Sequence, residues 1–209
     1  MITLEFLATV IFLSASGVLG PGPLFVSSTT RATKLGWGAG MQSAVGHTVF
    51  EAPLVLGLAI GLSTFLNPST AKLIGIPGGI VLLGFAILQI QQAIAKEGVG
   101  PTSDIAGRLG AGSGVLLGIL FTGANPFFLI WWLTIGSVLI VQAISLGALT
   151  GVVIMYGAHI WMDYAWLGGT AFLAFRGRLF LGKWYRAMMI VFGTVMAYFG
   201  VVFILSAVF

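Results

Sequence analysis

The chain contains two histidines, and each has a carboxylate four residues further along. His47 precedes Glu51 in GHTVFEAP, and His159 precedes Asp163 in AHIWMDYA. Residues at i and i+4 lie on the same face of a helix, so each pair places an imidazole beside a carboxylate. Such a pair can exchange a proton or bind a cation. The spacing therefore predicts two His–carboxylate pairs inside apolar segments, and we expect their four side chains to converge on one hydrated pocket for proton or cation coupling.

A simpler interpretation of each pair is an interhelical hydrogen-bond clamp, because polar side chains hold membrane helices together. However, a carboxylate at the centre of a membrane helix costs about 2.5–3.5 kcal/mol. Intramembrane acids therefore face a cavity, pair with another group or stay protonated. Because the same pair occurs twice, we favour the functional interpretation. Glu51 and Asp163 are the predicted coupling carboxylates, with His47 and His159 tuning them or relaying protons.

Two proline motifs define a second kind of candidate site. GPGPLF contains Pro21, Gly22 and Pro23, and GANPFF contains Asn125 and Pro126. Proline lacks an amide hydrogen and its ring clashes with the preceding turn, so both motifs predict a broken helix. At membrane depth the freed carbonyls must find internal partners or line a watery cavity, where they would contact a substrate. The alternative is a kink relieved by neighbouring helices.

Three further side chains lie near these motifs. Gln42 is near the start of the second predicted helix, where it faces either a loop or the pore, and it is a further candidate for substrate binding. Trp131 and Trp132 follow the second proline motif. We interpret both as packing or interface aromatics rather than as a ligand platform.

Long apolar runs must position all of these residues. The chain is 58% hydrophobic and 7% charged, with a mean hydropathy of +1.10. About 20 apolar residues cross a bilayer as a helix, whereas a β-barrel needs alternating segments of about ten residues. The sequence therefore predicts an all-α integral membrane protein with six transmembrane helices: Leu4–Ser28, Gly38–Phe65, Leu73–Ala95, Gly112–Gly136, Ser145–Ala174 and Met188–Val208.

The positive charges predict how these helices are oriented. With six spans, one side of the membrane would hold eight of the nine basic residues: Arg31, Lys34, Lys96, Arg108, Arg176, Arg178, Lys183 and Arg186. Only Lys72 would lie on the other side, together with both termini. The positive-inside rule therefore predicts a multi-pass protein of a prokaryotic plasma membrane with both termini extracytoplasmic. The net charge of +4 reports this orientation and does not indicate a nucleic-acid partner.

The order of the motifs predicts an internal duplication. Each half begins with a proline-interrupted helix and continues with a His-x-x-x-acid helix. Three spans per half place the second half in the membrane in the opposite direction, as in the inverted repeats of transporters. We predict a first repeat over residues 1–95, a polar cytoplasmic linker over 96–111 and a second repeat over 112–209.

Glycine and cysteine usage add two further points. Glycine makes up 31 of the 209 residues, and four-residue spacing such as Gly57/Gly61 and Gly114/Gly118 lets helix backbones approach closely. These small faces permit a homodimer without requiring one. The absence of cysteine excludes disulfides and thiolate metal sites. No cofactor is predicted, and the expected partners are a small-molecule substrate and the lipid bilayer.

The sequence resembles the LysE/RhtB-type amino-acid exporters over essentially its whole length. The resemblance rests on PGP in the first helix, GH…E, NP in the fourth helix and H…D, in that order. GHTVFEAPL and NPFFLIWWLTIG are especially similar to an archaeal-like subgroup of LysE-type translocators. The resemblance implies ion-gradient-driven export of amino acids or similar small solutes. It also implies substrate contacts near Pro21, Gly22, Pro23, Asn125 and Pro126.

Two other functions stay open. The His and acid pairs, His47, Glu51, His159 and Asp163, offer a plausible ligand set for a borderline metal, so the alternative is a divalent metal cation exporter. A membrane-embedded enzyme is the less favoured alternative, because the chain has no H-E-x-x-H motif and its serines have no recognisable catalytic partner. The chain also lacks a Walker A motif, so direct ATP drive is not expected. We therefore predict a transporter and not an enzyme.

Overall fold

The computed structural model describes residues 2–20, 22–65, 113–177 and 182–208, together with scattered positions between 76 and 94. Over these residues the chain is helical and contains no strand, which confirms the all-α prediction. The predicted linker, residues 96–111, lies outside the described residues, and so does most of the predicted span Leu73–Ala95. Pro21 also lies outside them.

The helices follow one another in a simple order. They are α1 Leu4–Val18, α2 Pro23–Leu35, α3 Gly38–Phe65, α4 Gly114–Gly123, α5 Pro126–Trp131, α6 Ser137–Phe175 and α7 Gly182–Val208, with a π-helical turn, Trp132–Gly136, between α5 and α6. Two segments of the described chain, Gly38–Gly61 and Phe127–Phe175, are long and apolar enough to cross a membrane. The pair α1 and α2, bent by 71°, is a third when it is counted as one broken span.

The helix is interrupted at both proline motifs, as predicted. α1 ends at Val18 and α2 begins at Pro23, with Gly22 as its N-cap. α4 ends at Gly123 and α5 begins at Pro126. Proline is favoured at the first helical position, where its missing amide hydrogen leaves no hydrogen bond unmade. Each motif therefore starts a new helix instead of kinking an old one.

The connection between the fourth and fifth predicted spans is in a different place from the prediction. The sequence analysis placed it between Gly136 and Ser145, but the helix continues through these residues and loses helical geometry at Gly147 and Ala148. Ala148 has a φ of 49°. A Cβ added to Gly151 would lie 2.1 Å from the Ala143 carbonyl oxygen, although eight residues of continuous helix span about 12 Å. The chain therefore folds back at Gly147–Ala148.

Two other predicted bounds also need correction. The first predicted span ended at Ser28, whereas α2 continues to Leu35. The last was predicted to begin at Met188, whereas α7 begins at Gly182. Both predictions placed the end of the helix where the apolar run ends. The helix continues beyond that point through the neighbouring basic residues. By contrast, α3 has the predicted bounds, Gly38–Phe65.

Glycines bring α3 and α4 into direct backbone contact. A Cβ on Gly46 would lie 2.0 Å from the Val115 carbonyl oxygen, and one on Gly118 would lie 2.5 Å from the Ser43 carbonyl oxygen. Only glycine, whose side chain is a single hydrogen atom, allows this approach. Small residues allow similar close contacts between other membrane helices. The close crossing fixes α4 against the stretch of α3 that carries the first His–carboxylate pair.

Candidate functional site

The two His–carboxylate pairs meet between α3 and the later part of α6. Glu51 Oε1 lies 3.1 Å from His47 Nε2 and 3.3 Å from His159 Nε2. Asp163 Oδ1 lies 3.5 Å from His47 Nε2, and its Oδ2 lies 3.4 Å from His159 Nε2. No member is more than 7% exposed. The four residues form one cluster, here called the tetrad, in which each imidazole contacts both carboxylates.

Glu51 is the firmly anchored carboxylate of the tetrad. Besides its histidine contacts, Glu51 Oε1 accepts a hydrogen bond from Trp132 Nε1 at 2.9 Å, and Oε2 accepts one from the Tyr156 hydroxyl at 3.1 Å. Hydrogen bonds to a charged group are stronger than those between neutral groups. These donors hold the carboxylate in one orientation, with Oε1 directed toward both histidines.

Asp163 is held much more loosely. Its contacts with the two histidines, at 3.5 and 3.4 Å, are long for charge-assisted hydrogen bonds, which measure about 2.7–2.9 Å. Asp163 Oδ2 is fully buried and has no hydrogen-bond partner among the described residues. A buried carboxylate oxygen without a partner is costly. Asp163 Oδ2 is therefore the unsatisfied acceptor of the tetrad.

Each histidine is oriented by a hydroxyl group from another helix. His47 Nδ1 lies 2.9 Å from Thr122 Oγ1 of α4, and His159 Nδ1 lies 2.8 Å from Ser14 Oγ of α1. The Thr122 hydroxyl donates its hydrogen to the Gly118 carbonyl oxygen at 2.7 Å. It must therefore accept from His47, so Nδ1 of His47 carries a hydrogen.

This tautomer has a direct chemical consequence. When His47 is neutral, its hydrogen is on Nδ1, and Nε2 presents a lone pair toward Glu51 Oε1 and Asp163 Oδ1. Three electron-rich atoms then face one another, which is unfavourable unless a proton or another cation lies between them. Among the described residues, the ion-pair contacts of the two carboxylates are all with the histidines of the tetrad itself. The arrangement is therefore suited to bind positive charge.

The two helix breaks also contact each other. A Cβ on Gly22 would lie 3.4 Å from Asn125 Nδ2, so the Asn125 amide lies against the backbone of the other break. Asn125 Oδ1 accepts the hydrogen bond of the Phe127 amide at 3.1 Å and caps α5. Pro23 and Pro126 are the first residues of α2 and α5. Pro21 is outside the described residues. The described members of the two proline motifs thus come together.

The tetrad is connected to the second helix break through α5. The Phe128 ring packs edge-on against the His47 ring, with 5.1 Å between their centroids. Thr122, which orients His47, lies three residues before the Asn125 cap. Gln42 is separate from this group: its side chain is exposed and lies beside Gly114 at the start of α4.

The sequence interpretation missed several residues of the site. Trp131 and Trp132 are buried, as packing residues would be, but Trp132 also donates to Glu51, and Trp131 Nε1 donates to Ser16 Oγ at 3.2 Å. Tyr156 had a usable signal, because it precedes His159 by three positions and shares its helix face. The partners Thr122 and Ser14 come from distant helices, and no local pattern marks them.

One comparison with known proteins identifies the family of the chain. A family model described as LysE type translocator matches residues 15–207, which is nearly the whole chain. A search of the curated proteins and a search of the solved structures each gave no match. The archaeal-like subgroup therefore stays a prediction.

Proposed function

Because the chain belongs to the LysE type translocator family, we propose that it is a secondary transporter that exports its substrate by using the gradient of a proton or another cation. The family is one of transporters of amino acids or small solutes, not of enzymes, and its apolar helices make this a multi-pass membrane protein. Export across a prokaryotic plasma membrane and cation coupling are the parts that we add.

The convergence of the tetrad carries the coupling proposal. Two carboxylates and two neutral imidazoles have a net charge of −2, and all four residues are buried. Uncompensated charge in the low-dielectric interior is very costly, so the tetrad must take up positive charge. Its atoms come from α3 and α6, and any relative movement of these helices changes the distances between them. Binding of a cation is thereby linked to the conformation of the transporter.

We place the substrate at the two helix breaks, next to the tetrad. Interrupted helices expose backbone amide and carbonyl groups that can bind the ends of an amino acid. The contact between Gly22 and Asn125 supports one shared site, to which Pro21, Pro23 and Pro126 would contribute backbone groups. The exposed Gln42 would contact the substrate only at the rim.

An inverted repeat explains the arrangement of the elements. In the first half, Gly36 has a φ of 87° and precedes His47 by eleven positions; in the second, Ala148 has a φ of 49° and precedes His159 by eleven positions. A residue of positive φ thus precedes the histidine of each His-x-x-x-acid helix by the same number of positions. We propose six spans, with repeats over 1–95 and 112–209 around the linker, and with both termini outside.

The described residues also leave one face free for a partner. A Cβ on Gly57 or on Gly61 of α3 would have no described atom within 4 Å. Small residues on an open face suit close packing against another helix. That helix would come either from the rest of this chain or from a second copy in a homodimer.

A counterflow assay tests the proposed function. Purified protein in proteoliposomes preloaded with unlabelled amino acids should accumulate the matching labelled amino acid, whereas empty liposomes should not. A divalent metal cargo is the second candidate, favoured by the imidazole and carboxylate ligand set of the tetrad. Accumulation of Zn²⁺ or Ni²⁺ without counterflow of any amino acid or related solute would select that candidate and overturn amino-acid export.

A further inference from the structure

We propose that the tetrad is a tetrahedral site for one first-row divalent transition metal ion, with Zn²⁺ as the best-fitting ion. The inference rests on the proposed role of the tetrad as a cation site, but not on the identity of the exported solute. The ligand atoms would be Nε2 of His47, Oε1 of Glu51 and one carboxylate oxygen of Asp163, and Nε2 of His159 would move in to complete the tetrahedron.

The separations between ligand atoms support this geometry. Zinc binds histidine nitrogen and carboxylate oxygen at about 2.0–2.2 Å, and in a tetrahedron this places neighbouring ligand atoms about 3.4 Å apart. His47 Nε2 lies 3.1 Å from Glu51 Oε1 and 3.5 Å from Asp163 Oδ1, and one ligand atom from each of these three residues lies within 4.8 Å of the others. His159 Nε2 lies 3.3 Å from Glu51 Oε1 and 3.4 Å from the other Asp163 oxygen, Oδ2. All four N···O distances are longer than charge-assisted hydrogen bonds, about 2.7–2.9 Å. They match the edges of a metal site better than direct hydrogen bonds.

The surroundings of the ligands point the same way. Metal-binding histidines donate their other ring N–H to an oxygen that fixes the tautomer, and the Thr122 contact does this for His47. Ser14 Oγ occupies the equivalent position for His159. Glu51 is held by Trp132 and Tyr156, as ligating carboxylates are held by outer hydrogen bonds.

The negative charge of the tetrad and the unsatisfied Asp163 oxygen also favour a bound metal ion, independently of the distances. Asp163 Oδ2 is buried without a hydrogen-bond partner among the described residues, and it belongs to a side chain that is 6% exposed. His47, Glu51 and Asp163 each bring a ligand atom within 4.8 Å of the others. A divalent ion would neutralise the two carboxylates and occupy the position that Asp163 Oδ2 leaves open.

The donor set also selects among metals. Imidazole together with carboxylate suits Zn²⁺, Co²⁺ and similar first-row ions. Ca²⁺ takes six to eight oxygen ligands, and Mg²⁺ keeps an octahedral shell with several waters. Neither requirement is met by two nitrogens and two oxygens in a buried site.

Metal binding can be measured on the purified full-length protein in detergent. Equilibrium dialysis with elemental analysis should find one Zn²⁺ per chain, and Co²⁺ should give the intense visible absorption of tetrahedral coordination. His159→Ala and Asp163→Asn should each lower the affinity for Zn²⁺ by more than the roughly 10- to 100-fold that outer partners contribute. Thr122→Val should lower it within that range. The exposed Glu5→Gln, a matched loss of one carboxylate, should leave it unchanged.

The outcomes separate this inference from the proposed export. No Zn²⁺ bound by the wild-type protein, or equal binding by wild type, Thr122→Val and Asp163→Asn, overturns the metal site. Counterflow of amino acids measured in the same preparations is an independent readout, so it can persist when metal binding fails. Thr122→Val keeps the shape of threonine, and it therefore tests the site even where a ligand variant does not fold.

Discussion

Glu51 Oε1 and His159 Nε2 lie 3.3 Å apart, although the two residues are separated by 108 positions in the chain. This contact joins the carboxylate of one His–acid pair to the imidazole of the other. A third residue, Trp132, donates to the same oxygen from just before α6. The two pairs therefore act as one site shared between α3 and α6. The predictions below test what holds this site together.

The first prediction compares two adjacent tryptophans. Trp132→Phe removes the donor to Glu51 and leaves a buried carboxylate with one hydrogen bond fewer, which should cost about 1.5–3 kcal/mol. Trp131→Phe removes a donor to the neutral Ser16 hydroxyl and should cost about 0.5–1.5 kcal/mol. Both side chains are at most 2% exposed, so the packing losses match. Thermal unfolding in detergent should give a larger fall in Tm for Trp132→Phe, and equal falls would contradict the anchoring role.

The second prediction concerns the hydroxyls behind the histidines. Thr122→Val and Ser14→Ala should each reduce cation-gradient-driven transport by about 10- to 100-fold, because outer partners of this kind orient the ligands. Thr170→Val is the matched control, since Thr170 is buried and, among the described residues, its hydroxyl contacts backbone carbonyl oxygens of its own helix. Initial rates in proteoliposomes check the prediction. A loss as large in Thr170→Val would show that the effect is structural.

The third prediction tests the crossing of α3 and α4. Gly46→Ala should destabilise the protein, because the added methyl group would meet the Val115 carbonyl oxygen at 2.0 Å and force the helices apart. Gly57→Ala in the same helix meets no described atom within 4 Å and should be tolerated. The yield of monodisperse protein and its Tm are the measurements. Tolerance of Gly46→Ala would contradict the described packing.

The fourth prediction concerns orientation. The positive-inside rule places both termini on the extracytoplasmic side. Because the chain has no cysteine, a single cysteine added at either end can be labelled in intact cells by a membrane-impermeant thiol reagent. We expect labelling at both ends without permeabilisation. A C-terminus that is labelled only after permeabilisation would overturn the orientation, and together with an N-terminus labelled in intact cells it would also overturn the even number of spans.

The duplicated pairs predicted that the four side chains converge on one pocket, but not the contacts by which they meet. The i, i+4 rule places His47 beside Glu51 on one helix face, and the atoms are 3.1 Å apart. The cross-pair contacts depend on how α3 packs against α6, and nothing in either segment specifies that packing. The prolines allowed both helix breaks to be predicted, because the effect of proline on the backbone is local.

The errors have the same physical origin. The chain from Gly136 to Gly147 is a largely apolar run without proline or charge, so a hydropathy pattern cannot locate the reversal within it. The role of Trp132 was also hidden, because a tryptophan that packs and a tryptophan that donates to a carboxylate look alike in a sequence. Local chemistry was predictable, whereas contacts made by tertiary packing were not.

Gradient-driven export by carboxylate variants tests the central claim most directly. Glu51→Gln and Asp163→Asn, reconstituted in proteoliposomes after they elute like the wild-type protein, should each lose transport driven by a cation gradient. Glu5→Gln removes an exposed carboxylate and should keep the wild-type rate. If both tetrad variants export as fast as the wild type, with the same dependence on the gradient, the tetrad is not the coupling site.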